Sequence, residues 1–225
     1  MDNVRLIAIS GFKGSGKDTV AEMTAKLIPY YHKNTMVKVW AMADPIRAGL
    51  NATFGLRAPK YGDKEIERSN PRLPVYKQKS YRDMMIRFGS VLRKKFGDEV
   101  FAQLANDALH KAMREARKKR KKLVFIISDI RFTVEQRQLL HWEYELGSDN
   151  IDYWCVIRNS VLPEWVGKGF DLRNPLDVDF IKKEYQPSPS EFEWCLATPY
   201  FTQYITNNGS LNELKSNIEQ IVKNL

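Results

Sequence analysis

The stretch "RLIAISGFKGSGKDTVAEM", residues 5–23, decides the fold. Its first half is a short apolar run ending at glycine, which predicts a buried strand. Gly11, four intervening residues, then Gly16 and Lys17 satisfy the G-x-x-x-x-G-K spacing of a phosphate-binding loop. Glycines tolerate positive φ and allow close backbone approach, so that successive N–H groups can point at one phosphate. Val20, Met23, Thr24, Leu27 and Ile28 then recur at helical spacing, predicting a helix from about Lys17 whose N-terminus adds a positive dipole end. Gly14, Ser15, Gly16, Lys17, Asp18 and Thr19 are therefore the loop's candidate ATP-binding residues, with Lys17 bridging the β and γ phosphates as a mobile point charge. Asp18 stands where a serine or threonine hydroxyl would ordinarily meet magnesium. A carboxylate aimed at a triphosphate is repulsive, so Asp18 is expected to cap the helix or face away, while Thr19 supplies the hydroxyl.

Outward from this stretch the same alternation continues. Apolar runs at 36–43, 123–130, 152–158 and 203–207 read as further strands, each leading toward a helix. Thr133 with Gln136, and Ser210 with Glu213, have the spacing of capping boxes. Strands alternating with helices predict an α/β fold, a three-layer sandwich with a five-stranded parallel sheet and helices on both faces. Ligands in such folds bind at the carboxyl ends of the strands. Two polar, proline-bearing stretches, 57–80 and 159–194, interrupt the pattern and read as inserts within a single domain spanning 1–225.

A chain of 225 residues suits one main core, and 43% hydrophobic with 28% charged residues is ordinary globular usage. No apolar run approaches the length needed to span a bilayer, and the first residues lack a signal-peptide pattern, so a cytoplasmic protein without membrane contact is expected. Cys155 and Cys195 have no CxxC partner and no zinc-like spacing, and read as reduced thiols. The formal charge of +9 favours polyanions, nucleotides and nucleic acids alike. Seven of the cations fall in "REARKKRKK", residues 114–122. This run reads as the solvated end of a helix, where cations suit the dipole, and no aromatic residues interleave with it as single-strand binding would require.

The loop "GFKGSGKDT" resembles the G-x-x-G-x-G-K-x-T form of the nucleoside monophosphate kinases, and its lysine and "GKDT" resemble the bacteriophage deoxynucleoside monophosphate kinases in particular. "ADPIRAGL" (43–50), "YRDMMIRFGSVLRKKFG" (81–97), "SDIRF" (128–132) and "ITNNGSLNEL" (205–214) are similar to that family in kind and order. The resemblance implies a P-loop kinase that uses ATP and Mg2+, with the 57–80 insert on the monophosphate side and 159–194 as a lid. It implies monophosphate binding by Lys13, Ile46, Arg47, Arg82, Gly89, Ser90 and Arg93. It further implies contacts to the adenine from Asn207, Asn208 and Gly209.

Asp129 and Arg131, at the end of an apolar strand, suit magnesium held through water and a phosphate contact, respectively. Thr19 and Asp129 are thus the candidate metal residues, and Lys17, Asp129 and Arg131 the catalytic ones. "SPSEF" (188–192) reads as part of the lid, with Lys168, Arg173, Lys182 and Lys183 as its charges. Together these point to transfer of a γ-phosphoryl group to a deoxynucleoside 5′-monophosphate, a step needing charge neutralisation and positioning rather than covalent chemistry. A kinase of another small acceptor, such as a dephospho-coenzyme or metabolite, stays open. So does a nucleotide-dependent nucleic-acid-binding protein, although no recognition motif supports it. Base preference, ribose discrimination and homodimer formation are not legible in the sequence.

Overall fold

The computed structural model describes residues 4–55 and 81–225, so the 57–80 insert lies outside the described residues, as does the side chain of Arg82. The strands are β1 (Val4–Ser10), β2 (Thr35–Ala41), β3 (Lys122–Ser128), β4 (Ile151–Ile157) and β5 (Gln203–Thr206). They form one parallel sheet in the order β2-β3-β1-β4-β5. The predicted α/β architecture is therefore observed, with β1 and its glycine loop central and β2 and β5 at the edges.

Period-two alternation divides the core between the two faces. Leu6 and Ala8 of β1, with Leu123, Phe125 and Ile127 of β3, turn to one face. Ile7 and Ile9, with Val124 and Ile126, turn to the other. The second face is covered by α1 (Lys17–Tyr31) and, after the last strand, by the helix Leu211–Lys223. Val20, Ala21 and Ile28 meet Leu214, Ile218 and Val222 there, all buried. The first face is covered by α2 (Asp44–Phe54), α3 (Tyr81–Phe96), α4 (Val100–Lys118) and α5 (Thr133–Leu146). Trp142 of α5 is fully buried on this side and its indole N–H donates to Asn106 Oδ1 at 2.8 Å.

Two helix starts test the capping reading. Ser210 accepts from Glu213 N, and the Glu213 carboxylate accepts from Ser210 N, as expected. At α5 the register differs by one residue, because Glu135 rather than Gln136 reaches back, accepting from Phe132 N at 3.1 Å. Thr133 and Gln136 turn instead to the second insert: Thr133 N and Oγ1 donate to Glu193 Oε2, and Gln136 Nε2 to the Glu193 carbonyl.

That insert is not the irregular stretch its polar sequence suggests. It contains α6 (Pro175–Glu184), α7 (Pro189–Phe192) and short 3-10 turns at Asn159–Val161 and Glu193–Tyr200. Its aromatic residues make a third apolar cluster, in which Trp165 and Trp194 meet Phe12 of the glycine loop and Phe192 meets Trp165. Their spacing follows no helical or strand period, so periodicity could not reveal a core. The final helix, Leu211–Lys223, is labelled α8. No helix among the described residues is long and apolar enough to cross a membrane.

On the first face α2 and α3 interlock through glycine. A Cβ on Gly49 would stand 2.7 Å from the Phe88 ring, and one on Gly89 would stand 2.9 Å from Ile46 Cδ1. Gly49→Val should therefore destabilise the fold by about 1–3 kcal/mol, since overpacking outweighs the helix propensity gained. Urea unfolding should show a lower midpoint at unchanged slope.

Candidate functional site

Three glycines of the loop take positive φ: Gly11 at 146°, Gly14 at 83° and Gly16 at 102°. Gly11 is also sterically required, because a Cβ there would stand 2.5 Å from the Val156 carbonyl oxygen of β4. Gly16 ends the loop as the residue before α1 and packs against the Asn207 side chain. The loop is closed by Ser15 N donating to the Phe12 carbonyl at 3.0 Å. Ser15 itself is fully buried, and its hydroxyl has no hydrogen-bond partner.

Lys17 is buried and folds back across the loop. Its Nζ donates to the carbonyls of Gly11 at 2.7 Å and Phe12 at 3.0 Å, and lies 3.4 Å from Asp129 Oδ1. Asp129 reaches it through an unusual backbone. Immediately after β3 the N–H groups of Asp129 and Ile130 both donate to the Ile9 carbonyl of β1, and Asp129 sits at φ +76°. Non-glycine residues seldom occupy that region, and such strain concentrates at functional sites. Arg131 Nε donates to Asp129 Oδ1 at 2.5 Å. Burial disfavours the Asp129 charge, but Arg131 and Lys17 outweigh it and hold the carboxyl below the ordinary aspartate range.

Behind this pair stands Glu135, a residue the sequence reading missed. It is 1% exposed, and its carboxylate accepts from Arg131 N at 2.8 Å, Phe132 N at 3.1 Å and Arg93 Nη2 at 3.0 Å. Burial pushes its pKa up against those hydrogen bonds. All three of these partners are donors, which leaves the acidic proton no acceptor among them and favours the ionised form. The signal was present as Glu135 three residues after Phe132, but the threonine at 133 suggested the wrong register. Arg93, expected at the monophosphate, is committed to this carboxylate and lies between the rings of Phe101 and Phe132, 4.6 and 4.2 Å from their centroids.

Asp18 neither caps the helix nor faces away. No side chain caps α1, and the half-buried carboxyl lies close enough to Asp129, Lys17, Arg47 and Arg131 to feel each charge. Burial and then Asp129 raise its pKa, against the three cations. Tertiary packing gathers three cations, Lys17, Arg47 and Arg131, around a carboxylate that the linear sequence shows beside Lys17 alone. Arg47 is brought to this group from α2, where its guanidinium is 3.5 Å from Asp44 Oδ1. Thr19 is half-buried in the first turn of α1, and Lys13 is exposed on the loop.

The remaining candidates separate from the charged group. Ile46 and Gly89 are buried against one another in the α2–α3 contact, and Ser90 is exposed on α3. Asn207 Nδ2 donates to the Ser15 carbonyl at 2.7 Å, so it braces the glycine loop, while Asn208 Oδ1 accepts from Asn159 N. Gly209 lies exposed under the Glu213 capping carboxylate. The expected lid charges are matched within the insert itself: Lys168 pairs with Glu164, Arg173 with Asp171 and Lys183 with Glu184, and Lys182 lies over Phe192.

No protein-family model matches the sequence, and no curated protein matches it. Among solved structures the chain is similar to a candidate kinase from Chloroflexus aurantiacus j-10-fl, at 10% identity and a TM-score of 0.46, covering 100% of this chain and 97% of that one. It is similar to dephospho-CoA kinase from Campylobacter jejuni, at 12% identity and 0.44, covering 98% and 96%. It is similar to thymidylate kinase from Ehrlichia chaffeensis, at 13% identity and 0.39, covering 98% and 99%. Likenesses this slight assign the chain to none of these groups, and the site must be read from its own residues.

Two outcomes follow from the charges. Glu135→Ala leaves the Arg93 guanidinium and two backbone N–H groups without their acceptor, and should cost about 3–5 kcal/mol in chemical denaturation, with Glu135→Gln costing less. The Asp129 carboxyl is depressed in the fold, so its contribution exists above the unfolded value and is lost as the pH falls. The stability advantage of the native chain over Asp129→Asn should be full at neutral pH and shrink below about pH 3.9.

Proposed function

We propose that this chain transfers the γ-phosphoryl group of ATP to a small phosphorylated acceptor, and that the acceptor is a deoxynucleoside 5′-monophosphate. The observation that carries the reading is Lys17, held over a loop of positive-φ glycines by two loop carbonyls and Asp129. A loop of that form at a helix N-terminus presents N–H groups and a dipole to a phosphate. Lys17 can exchange its hydrogen bonds to neutral carbonyls for ion pairs with the β and γ oxygens. Arg131 and Arg47 bring two further cations from different elements toward the same point, as stabilisation of a transferring phosphoryl group requires.

The donor set suits magnesium. Asp129, kept ionised by its neighbours, and the Thr19 hydroxyl are hard oxygen donors, and magnesium is usually held by one or two protein groups with phosphates and water completing the shell. The described residues contain no cluster of three metal-ligating side chains. Bound there, the ion would neutralise the β and γ oxygens. Asp18, its pKa already raised, gives the site a carboxylate that can take up a proton as phosphate charge arrives. The deoxynucleotide assignment is supported by the resemblance of five stretches in order, with Arg47 as the contact to the acceptor phosphate.

The deciding experiment incubates the purified chain with ATP, magnesium and a panel of ribo- and deoxynucleoside monophosphates, with dephospho-coenzyme A alongside, and follows diphosphate and ADP formation. Turnover is expected with one or more deoxynucleoside monophosphates and abolished by Lys17→Ala in a chain of unchanged circular dichroism. Turnover of dephospho-coenzyme A alone would overturn the acceptor assignment, and no turnover of any of them would overturn the reading.

A further inference from the structure

Between the second insert and the outer strands lies a cavity of about 550 Å³, and its walls are aromatic and aliphatic. Phe12, Trp165, Phe170 and Trp194 line it with Leu162, and β4 contributes Cys155 to its floor. The rings meet edge to face, Phe12 at 4.8 Å from Trp194 and 6.0 Å from Trp165. Gly167 and Gly169 form part of the lining with φ of 85° and 83°, and a Cβ on either would meet nothing within 4 Å. This side of the cavity is bare backbone beside open space. Protein interiors rarely keep voids much larger than a water, whereas concave apolar spaces of about 300–1,000 Å³ are the usual size of small-molecule sites.

We propose that this cavity binds a flat, uncharged compound of two or three fused rings, and that its occupancy is felt by the phosphate loop through Phe12. The lining carries few side-chain polar groups for its size: the Cys155 and Cys195 thiols, the Tyr204 hydroxyl and the indole N–H groups of Trp165 and Trp194, of which the Trp194 N–H is buried with no hydrogen-bond partner among the described residues. Burial pushes the Cys155 thiol up to about 12, so it offers no charge. A nucleobase would bury several hydrogen-bonding edges here for few partners, at about 1–3 kcal/mol for each left unsatisfied. An apolar ring system meets no such cost. Phe12 links the two sites directly, because its ring is a wall of the cavity while its carbonyl accepts from both Lys17 Nζ and Ser15 N. A ring pressed against Phe12 must act on the atoms that set the position of Lys17.

The test titrates the full chain with 1-aminoanthracene. Expected are blue-shifted probe emission saturating at one equivalent and quenching of tryptophan emission from Trp165 and Trp194. Two variants that fill the space, Cys195→Phe and Leu162→Trp, should each weaken binding about tenfold or more, a loss of about 1.4 kcal/mol, with unchanged circular dichroism. Absence of saturable binding, or equal binding by both filled variants, would overturn the site. The coupling rests on the proposed reading of the loop, and is measured as the affinity for ATP with magnesium by calorimetry, with and without saturating probe. A shift of about fivefold is expected, and an unshifted affinity overturns the coupling. A chain that binds the probe but no ATP overturns the phosphate reading and the coupling together, and leaves the ring site standing.

Discussion

One ammonium group organises the charged end of this molecule. Lys17 Nζ touches the carbonyls of Gly11 and Phe12 and lies beside Asp129, so it ties β1, the start of α1 and the end of β3 together at a point. The contact depends on glycine at 11, where the loop runs against the Val156 carbonyl, and on the backbone of Asp129, which turns into a region that few side chains tolerate. A buried cation of this kind is stable only where oxygen atoms surround it. Here the oxygens come from the loop itself and one ionised carboxylate.

The rest of the charged group is held in place from behind. Glu135 fixes the backbone N–H of Arg131 and Phe132 while accepting the Arg93 guanidinium, and Arg93 is gripped by two aromatic rings. A line of contacts thus runs from α3 through α5 to the end of β3, and finishes at Lys17. Burial of Glu135 makes the line costly to break, because a guanidinium and two backbone N–H groups would lose an acceptor that is itself shut from water. Asn207 performs a comparable task on the other flank, bracing the loop from the turn after β5.

Much of the architecture was legible because it follows from periods. The apolar runs became the strands, β1 through β5, each within a residue or two of its expected limits, and the helix after Gly16 began where the glycine motif ended. The Ser210 and Glu213 cap was legible for the same reason: it is a local pattern whose geometry is complete within one turn. Less was legible where partners are distant. The α5 cap was read one residue late, since its true acceptor also serves Arg93, 42 positions away. The 159–194 insert gave no period because its aromatic residues pack on Phe12 and on each other rather than on one regular face.

The sequence by itself determined the glycine loop, the order of the five strands and the helix that follows the loop. Glycine spacing, alternation and capping are constraints between near neighbours, and a linear string records them in full. Tertiary structure alone decided which charges gather around Asp18, that Arg93 pairs with Glu135 and Ile46 packs against Gly89, that Glu135 anchors the end of β3, and that Cys155 and Cys195, forty residues apart, share one apolar cavity. Each of these turns on which charges and rings meet from separate elements. Electrostatic and packing energies depend on distance in space, and the order of residues along the chain does not fix that distance.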